Sequence, residues 1–277
     1  MSHFAPLVNV AWLSEQLNSA RLVLLDASMA PPGQPSYQPG QVIAGARRFD
    51  FDQQVCDPQS TLPHMMPTPE RFTEAARALG INTDSVVVVY DHLGLFASPR
   101  AWWMLSSMGC DAVYVLDGGL PAWLAAGLPT VQHYSAAAEP GNFSANYRAD
   151  YFVDKTQVLA ALDNPALRIL DARPSGRFEG TQPEPRPGLR SGHMPGALSL
   201  TFTSVQNAGH LLAADELRSR LGAPTPLICS CGSGVTACVL ALAARVAGFS
   251  EVAVYDGSWA EWGDPQWQLP VVTGSEA

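Results

Sequence analysis

The chain repeats itself, and that repetition limits its possible folds more than any other feature. Leu24-Leu-Asp-Ala-Ser28 returns as Ile169-Leu-Asp-Ala-Arg173, and Gly45-Ala46 returns as Gly196-Ala197. Val113-Tyr-Val-Leu-Asp-Gly-Gly-Leu-Pro-Ala-Trp123 returns as Val252-Ala-Val-Tyr-Asp-Gly-Ser-Trp-Ala-Glu-Trp262. Motifs recurring in the same order within 277 residues mean two similar domains rather than one large one. In each half, short apolar runs rich in β-branched residues alternate with amphipathic stretches. Pro69 to Leu79 follows the cap candidate Thr68, and Gln157 to Leu162 follows the cap candidate Asp154. Such alternation predicts an α/β fold in each half, a mainly parallel sheet flanked by helices. The stretch His133 to Asn146, rich in Ala, Ser, Pro and Gly, reads as a linker. The expected domains are then residues 1–132 and 147–277.

Aligning the repeats sets Val86-Val-Val-Val-Tyr-Asp91 on Leu227-Ile-Cys-Ser-Cys231, so Asp91 stands where the second half has Cys231. After that cysteine comes a tight turn, Gly232-Ser-Gly234-Val235-Thr236, and then the Ala/Leu-rich helical stretch Ala237 to Ala247. Such a turn aims several backbone N–H groups at one spot, and the helix adds its partial positive charge. A thiol there ionises readily, and the thiolate is the nucleophile. Cys231 is therefore the candidate nucleophile. An inert core cysteine would not need Gly232 and Gly234 around it. A metal site on Cys229, Cys231 and Cys238 lacks a Cys-x-x-Cys pair or a nearby His. A cysteine phosphatase needs an arginine six positions on, where this chain has Ala237. Gly232 and Ser233 bring amides and a hydroxyl but no cation, so the loop suits a weakly charged group rather than a dianion.

Charge is available elsewhere. Arg177 and Arg186 lie in a Pro/Gly-rich loop leaving the strand that ends near Asp171, and ligands of open parallel sheets collect at that edge. Their planar forks match a carboxylate. Taken alone, they could equally be solvating a long loop or pairing with Glu179 and Glu184.

Taken together, Cys231-Gly-Ser-Gly-Val-Thr236, Gly192-His-Met-Pro-Gly-Ala197, Asp171-Ala-Arg173, Gly176-Arg-Phe178, Glu184-Pro-Arg186 and Tyr255-Asp-Gly-Ser-Trp-Ala-Glu-Trp262 resemble the tandem-rhodanese sulfurtransferases over nearly the whole chain. The uncharged loop resembles the branch that uses 3-mercaptopyruvate; the thiosulfate branch carries basic residues at the positions of Gly232 and Ser233. The resemblance implies two rhodanese-like domains, the C-terminal one catalytic, and a persulfide on Cys231. Substrate would lie against Arg177, Arg186 and Ser233, with the amides of Gly232, Gly234, Val235 and Thr236 holding the outer sulfur. It also implies a thiol acceptor such as thioredoxin, or cyanide, and neither metal nor organic cofactor. The alternatives are a thiosulfate sulfurtransferase, or a non-enzymatic rhodanese-like binding module, which commonly lacks the cysteine. One departure stands out. Where the family has a histidine in the first half, this chain has Val42, so a serine–histidine–aspartate relay through Ser233 cannot be carried over.

Composition sets the remaining bounds. Hydrophobic residues make up 47% of the chain, enough for two cores, yet no apolar run reaches the ~18–20 residues of a membrane helix. Met1-Ser-His-Phe-Ala-Pro lacks signal-peptide character, and five cysteines, an odd number, argue for a reducing compartment, so a cytoplasmic setting is expected. A net charge of −9 without a basic run speaks against nucleic acid, and an anionic substrate must be drawn in by local arginines and dipoles. His193 beside its Pro-Gly turn is expected to be scaffold. His64 and His92 are weaker candidates for a site expected between the halves. Trp102, Trp103, Trp259 and Trp262 read as packing, and Cys238 as packed rather than resolving.

Overall fold

The computed structural model describes residues 6–275; Met1–Ala5, on which part of the N-terminal reading rests, and Glu276–Ala277 lie outside it. The chain forms two compact units. The first contains the residues up to Pro58, Met66–Arg148 and Ala208–Leu211; the second contains Gln59–Met65, Ala149–Asn207 and the residues from Leu212 onward. The stretch from His133 to Asn146 is laid along the first unit. Ser135 N–H donates to Ala46 O at 2.8 Å, Gly141 N–H to Arg77 O at 2.8 Å and Phe143 N–H to Ile81 O at 3.1 Å. Gly141 runs so close to the backbone of Ile81 that a Cβ would stand 2.0 Å from its oxygen, so only glycine fits.

The repeat in sequence is a repeat in topology. The first sheet runs Leu7–Val8, Val113–Leu116, Val86–Tyr90, Leu22–Asp26, Arg47–Arg48; the second runs Phe152–Val153, Val252–Tyr255, Leu227–Ser230, Arg168–Asp171, Leu198–Ser199. Every pairing in both five-stranded sheets is parallel. Parallel neighbours need crossovers, and helices supply them. The helices are Val10–Gln16, Pro69–Ala78, Ser98–Ser107 and Gly119–Ala125 in the first unit. Those of the second are Lys155–Ala161, Ser175–Phe178, Ala214–Leu221, Ala237–Ala247 and Ser258–Trp262. Thr68 caps its helix through Arg71 N–H, and Asp154 forms a full capping box with Gln157.

The central strands are almost wholly buried, which is why they read as unbroken apolar runs rather than alternating ones. One core gathers Leu13, Leu24, Val88, Leu116 and Trp123; the other gathers Ile169, Ile228, Tyr255, Trp259 and Trp262. The helix Ala237–Ala247 buries nearly every side chain, as its Ala/Leu composition requires, and stops at Gly248 with φ 95°. Trp102, Trp103, Trp123, Trp259 and Trp262 are all buried.

Candidate active site

The strand Leu227–Ser230 delivers Cys231 to the carboxyl edge of the second sheet, and the chain turns there before the helix opens at Ala237. Thr236 occupies the N-cap position without a side-chain cap bond, and the first turn closes on the loop's own carbonyls, Cys238 N–H on Val235 O and Val239 N–H on Thr236 O, both at 3.1 Å. Gly234 has φ 74°, the left-handed conformation that makes the turn possible. From behind, the turn is held by the last short helix. Trp259 N–H donates to Cys231 O and Ala260 N–H to Gly232 O, both at 2.9 Å. Cys231 N–H donates to Ser258 Oγ at 3.1 Å, and that hydroxyl donates to Tyr255 O at 2.8 Å. With both carbonyls and its own amide tied back, Cys231 is only 2% exposed.

The first unit contains the same architecture with a different occupant. Ala27 N–H bonds Tyr90 O as Ala172 N–H bonds Ser230 O, and Leu120 N–H bonds Asp91 O as Trp259 N–H bonds Cys231 O. Asp91 therefore occupies the position of Cys231. Its Oδ2 accepts from the amides of Phe96 at 2.9 Å, Ala97 at 2.9 Å and Ser98 at 2.8 Å and from the Ser98 hydroxyl at 2.7 Å. Its Oδ1 accepts from Leu93 N–H at 2.9 Å. The loop has closed on its own carboxylate. In this strand–turn–helix junction the backbone amides converge on a carboxyl group, an arrangement suited to an anion.

Both candidate arginines converge on the cysteine loop. A Cβ built on Gly232 would meet Arg177 Nη2 at 3.0 Å and Arg186 Nη1 at 3.8 Å, and Arg186 Nη2 donates to Ser233 Oγ at 3.3 Å. Cys231, Gly232, Ser233, Arg177 and Arg186 are thus one cluster. Arg177 also takes the partner that its loop offered: its Nε reaches both oxygens of Glu184 at 3.2 Å and its Nη2 reaches Oε2 at 2.5 Å. Pairing with Glu184 and facing the cysteine loop are compatible, because Nη2 carries two N–H groups, one for each side. Glu179 does not take this role; its amide continues the short helix to Ser175 O.

Sequence reasoning passed over what stands behind Arg177. Glu184 Oε1 accepts from Arg173 Nη1 at 2.8 Å. Arg173 in turn reaches Asp171 Oδ2 and Gly192 O, at 2.7 and 2.8 Å, and lies 4.0 Å over the Trp259 ring. Burial works to lower the Arg173 pKa, but Asp171 and then Glu184 outweigh it and hold it above the ordinary value. The sequence signals were the recurrent Asp-Ala pair and a glutamate pinned between two prolines.

The other candidates fall outside the cluster. His193 is fully buried, with Nδ1 against Phe178 O at 2.8 Å and its ring stacked on Phe178 at 3.7 Å, which is a scaffold role. His92 lies against Tyr37 in the first unit, ring centroids 4.4 Å apart and tilted by 31°, and burial lowers its pKa. His64 belongs to Gln59–Met65, which packs with the second unit although it comes from the first half of the chain, and it adopts φ 62°. Val42 is a fully buried strand residue opposite Val131. Cys238 is buried, its thiol on Gly234 O at 3.3 Å, while burial pushes the Cys229 thiol up to about 12. Among the described residues no two cysteines are joined, and no cluster of His, Cys, Asp or Glu is placed to hold a metal ion. A cavity of about 570 Å³ opens beside the cluster, lined by Gln59–Pro63 and by Arg186, Asp264 and Trp267.

The rhodanese-like domain family matches this chain twice, over residues 9–126 and 154–264. A 3-mercaptopyruvate sulfurtransferase of Escherichia coli strain K12 is 41% identical over 92% of this chain and 94% of its own length. A mitochondrial thiosulfate/3-mercaptopyruvate sulfurtransferase of Arabidopsis thaliana is 38% identical over 96% of this chain and 78% of its own. The crystal structure of SseA from Escherichia coli superposes with a TM-score of 0.84 at 38% identity, covering 93% of this chain and all of SseA. Two matched domains, two sheets of identical strand order and near full-length identity of this size lead to one conclusion: the chain belongs to the rhodanese family, as a tandem of two rhodanese-like domains.

Proposed function

We propose that this protein is a 3-mercaptopyruvate sulfurtransferase in which Cys231 carries the sulfur. The observation that carries the reading is the convergence of Arg177 and Arg186 on the bare Cα of Gly232, next to the cysteine. Two guanidiniums beside an uncharged loop match a donor that has one carboxylate and a neighbouring keto oxygen. The Cys231 thiolate attacks the sulfur of 3-mercaptopyruvate and the carbon–sulfur bond breaks. The electron pair leaves as the enolate of pyruvate, which takes up a proton from water. Arg177, Arg186 and the Ser233 hydroxyl stabilise the oxygen on which charge develops. The outer sulfur of the persulfide rests against the amides of Gly232, Gly234, Val235 and Thr236. The loop around Asp91 supports that role, since the same junction there gathers backbone amides on a carboxyl oxygen.

In the second half-reaction an acceptor thiolate, of a protein such as thioredoxin, or cyanide, attacks the outer sulfur and releases the Cys231 thiolate. No metal or organic cofactor enters either step, because the cysteine carries the group itself. The first unit has a carboxylate in the equivalent place and takes no sulfur. A reducing, cytoplasmic setting suits a chain that works through a thiolate. Among the described residues no helix is long and apolar enough to cross a membrane. The test is a side-by-side assay of 3-mercaptopyruvate and thiosulfate as donors to cyanide, with intact mass after donor treatment. A higher kcat/KM for mercaptopyruvate is expected, with one sulfur added to the native chain and none to Cys231→Ser. A preference for thiosulfate, or turnover in the serine variant, would refute the reading.

A further inference from the structure

We propose that Glu184 is the specificity-determining residue of the Cys231 site, cancelling one of the two positive charges that Arg177 and Arg186 would otherwise present to the donor. The inference rests on the donor reading above and goes further by assigning the choice between monoanion and dianion to a buried carboxylate. The Glu184 side chain is 1% exposed, while that of Arg177 is 17% exposed. Glu184 grips Arg177 from its buried side. The Nη2 that bonds Glu184 Oε2 is also the atom 3.0 Å from the vacant Cβ position of Gly232. Whatever charge Glu184 carries is therefore felt one guanidinium away from the donor.

The charges can be followed through the contacts. Asp171 and Glu184 answer Arg173 and Arg177, and Arg186 joins the cluster through Ser233. Three guanidiniums stand against two carboxylates, with Asp264 lining the same cavity as Arg186. A field this close to neutral accepts one carboxylate and gives little to a second negative charge. The loop adds no side-chain cation, since positions 232 and 233 are Gly and Ser. Replacing Glu184 by glutamine keeps the volume and an acceptor oxygen but adds one unit of positive charge in a poorly solvated place. A dianion gains twice what a monoanion gains from that unit. At ~8 Å and an effective dielectric constant of ~20, the difference corresponds to about a 10- to 30-fold change in relative kcat/KM.

The experiment measures kcat/KM for thiosulfate and for 3-mercaptopyruvate on the native chain, Glu184→Gln and Glu184→Asp. The ratio of thiosulfate to mercaptopyruvate is expected to rise about 10- to 30-fold in Glu184→Gln and to stay native in Glu184→Asp, which keeps the charge even where its shorter reach slows both reactions. In an Arg177→Gln background, adding Glu184→Gln is expected to raise the same ratio again. This pair also serves if the single glutamine variant does not fold. Inhibition by sulfate relative to acetate is expected to move in parallel, without chemistry at the cysteine. A purely structural role slows both donors equally and leaves the ratio where it was. That outcome, or an equal shift in Glu184→Asp, overturns the proposal. If the native chain used neither donor, the donor reading itself would fail, which is a separate result.

Discussion

Ser258 is the residue whose replacement discriminates best between strain and support at the nucleophile. It is fully buried and sits at φ 48°, where a side chain normally costs ~1–2 kcal/mol. The corresponding position in the first unit is Gly119, at φ 52°, which carries no such cost. The serine carries a hydroxyl that joins Cys231 N–H to Tyr255 O in the buried interior. Alanine removes that bridge and keeps the strain. Leaving a buried amide and carbonyl without the bridge costs ~1–3 kcal/mol per group, so a total loss of ~2–6 kcal/mol is expected. Glycine removes the same bridge but relieves the backbone, recovering ~1 kcal/mol. The expected order of stability is native, then Ser258→Gly, then Ser258→Ala. Urea unfolding followed by tryptophan fluorescence reads it, because Trp259 and Trp262 lie in the core of the second unit. Both variants are also expected to form the persulfide more slowly with little change in KM. The loop carbonyls stay anchored by Trp259 and Ala260, so the donor's contacts survive while the cysteine's aim is loosened. An alanine variant as stable as the glycine variant would refute the reasoning, since the left-handed backbone would then carry no cost.

Two further outcomes follow from the same cluster. Arg177→Ala and Arg186→Ala each remove a charge-assisted contact worth ~1.5–3 kcal/mol and are expected to lower kcat/KM for mercaptopyruvate by roughly 10- to 150-fold. Native kinetics in both would return the arginines to a solvating role. Ser233→Ala is expected to lose on the order of 0.5–3 kcal/mol of transition-state stabilisation and to keep the pH limb that reports the thiolate, because Val42 offers no base to relay through Ser233. A loss beyond about 10⁴-fold in the pH–rate comparison would instead demand a relay through another group.

Most of the fold was legible because each local signal agreed with the repeat. The apolar runs at Val86 and Leu227, the caps at Thr68 and Asp154, and the Ala/Leu helix after the cysteine all fall where their periodicity set them. The cluster at Cys231 was legible for a different reason: a glycine-bearing turn between strand and helix has few purposes other than close approach of backbone to a ligand. What was not legible depends on contacts distant in sequence. Nothing in Gln59–Met65 announces that it packs with the second unit, because such packing depends on a surface more than a hundred residues away. Nor does local sequence reveal that Glu184 serves two arginines, although it offers both as neighbours. The comparison of Asp91 with Cys231 explains why one of these gaps matters. Both residues follow directly on the central strand, and each stands in a turn that leads into a helix. In the first unit a fixed carboxyl group takes up the amides of its turn. In the second, on the proposed reading, a cysteine leaves room for a transferable sulfur, and Arg177, Arg186 and Glu184 around it decide which donor brings that sulfur. On that reading reactivity is set by one position in the repeat, and selectivity by the side chains of the loop that carries Arg177, Glu184 and Arg186.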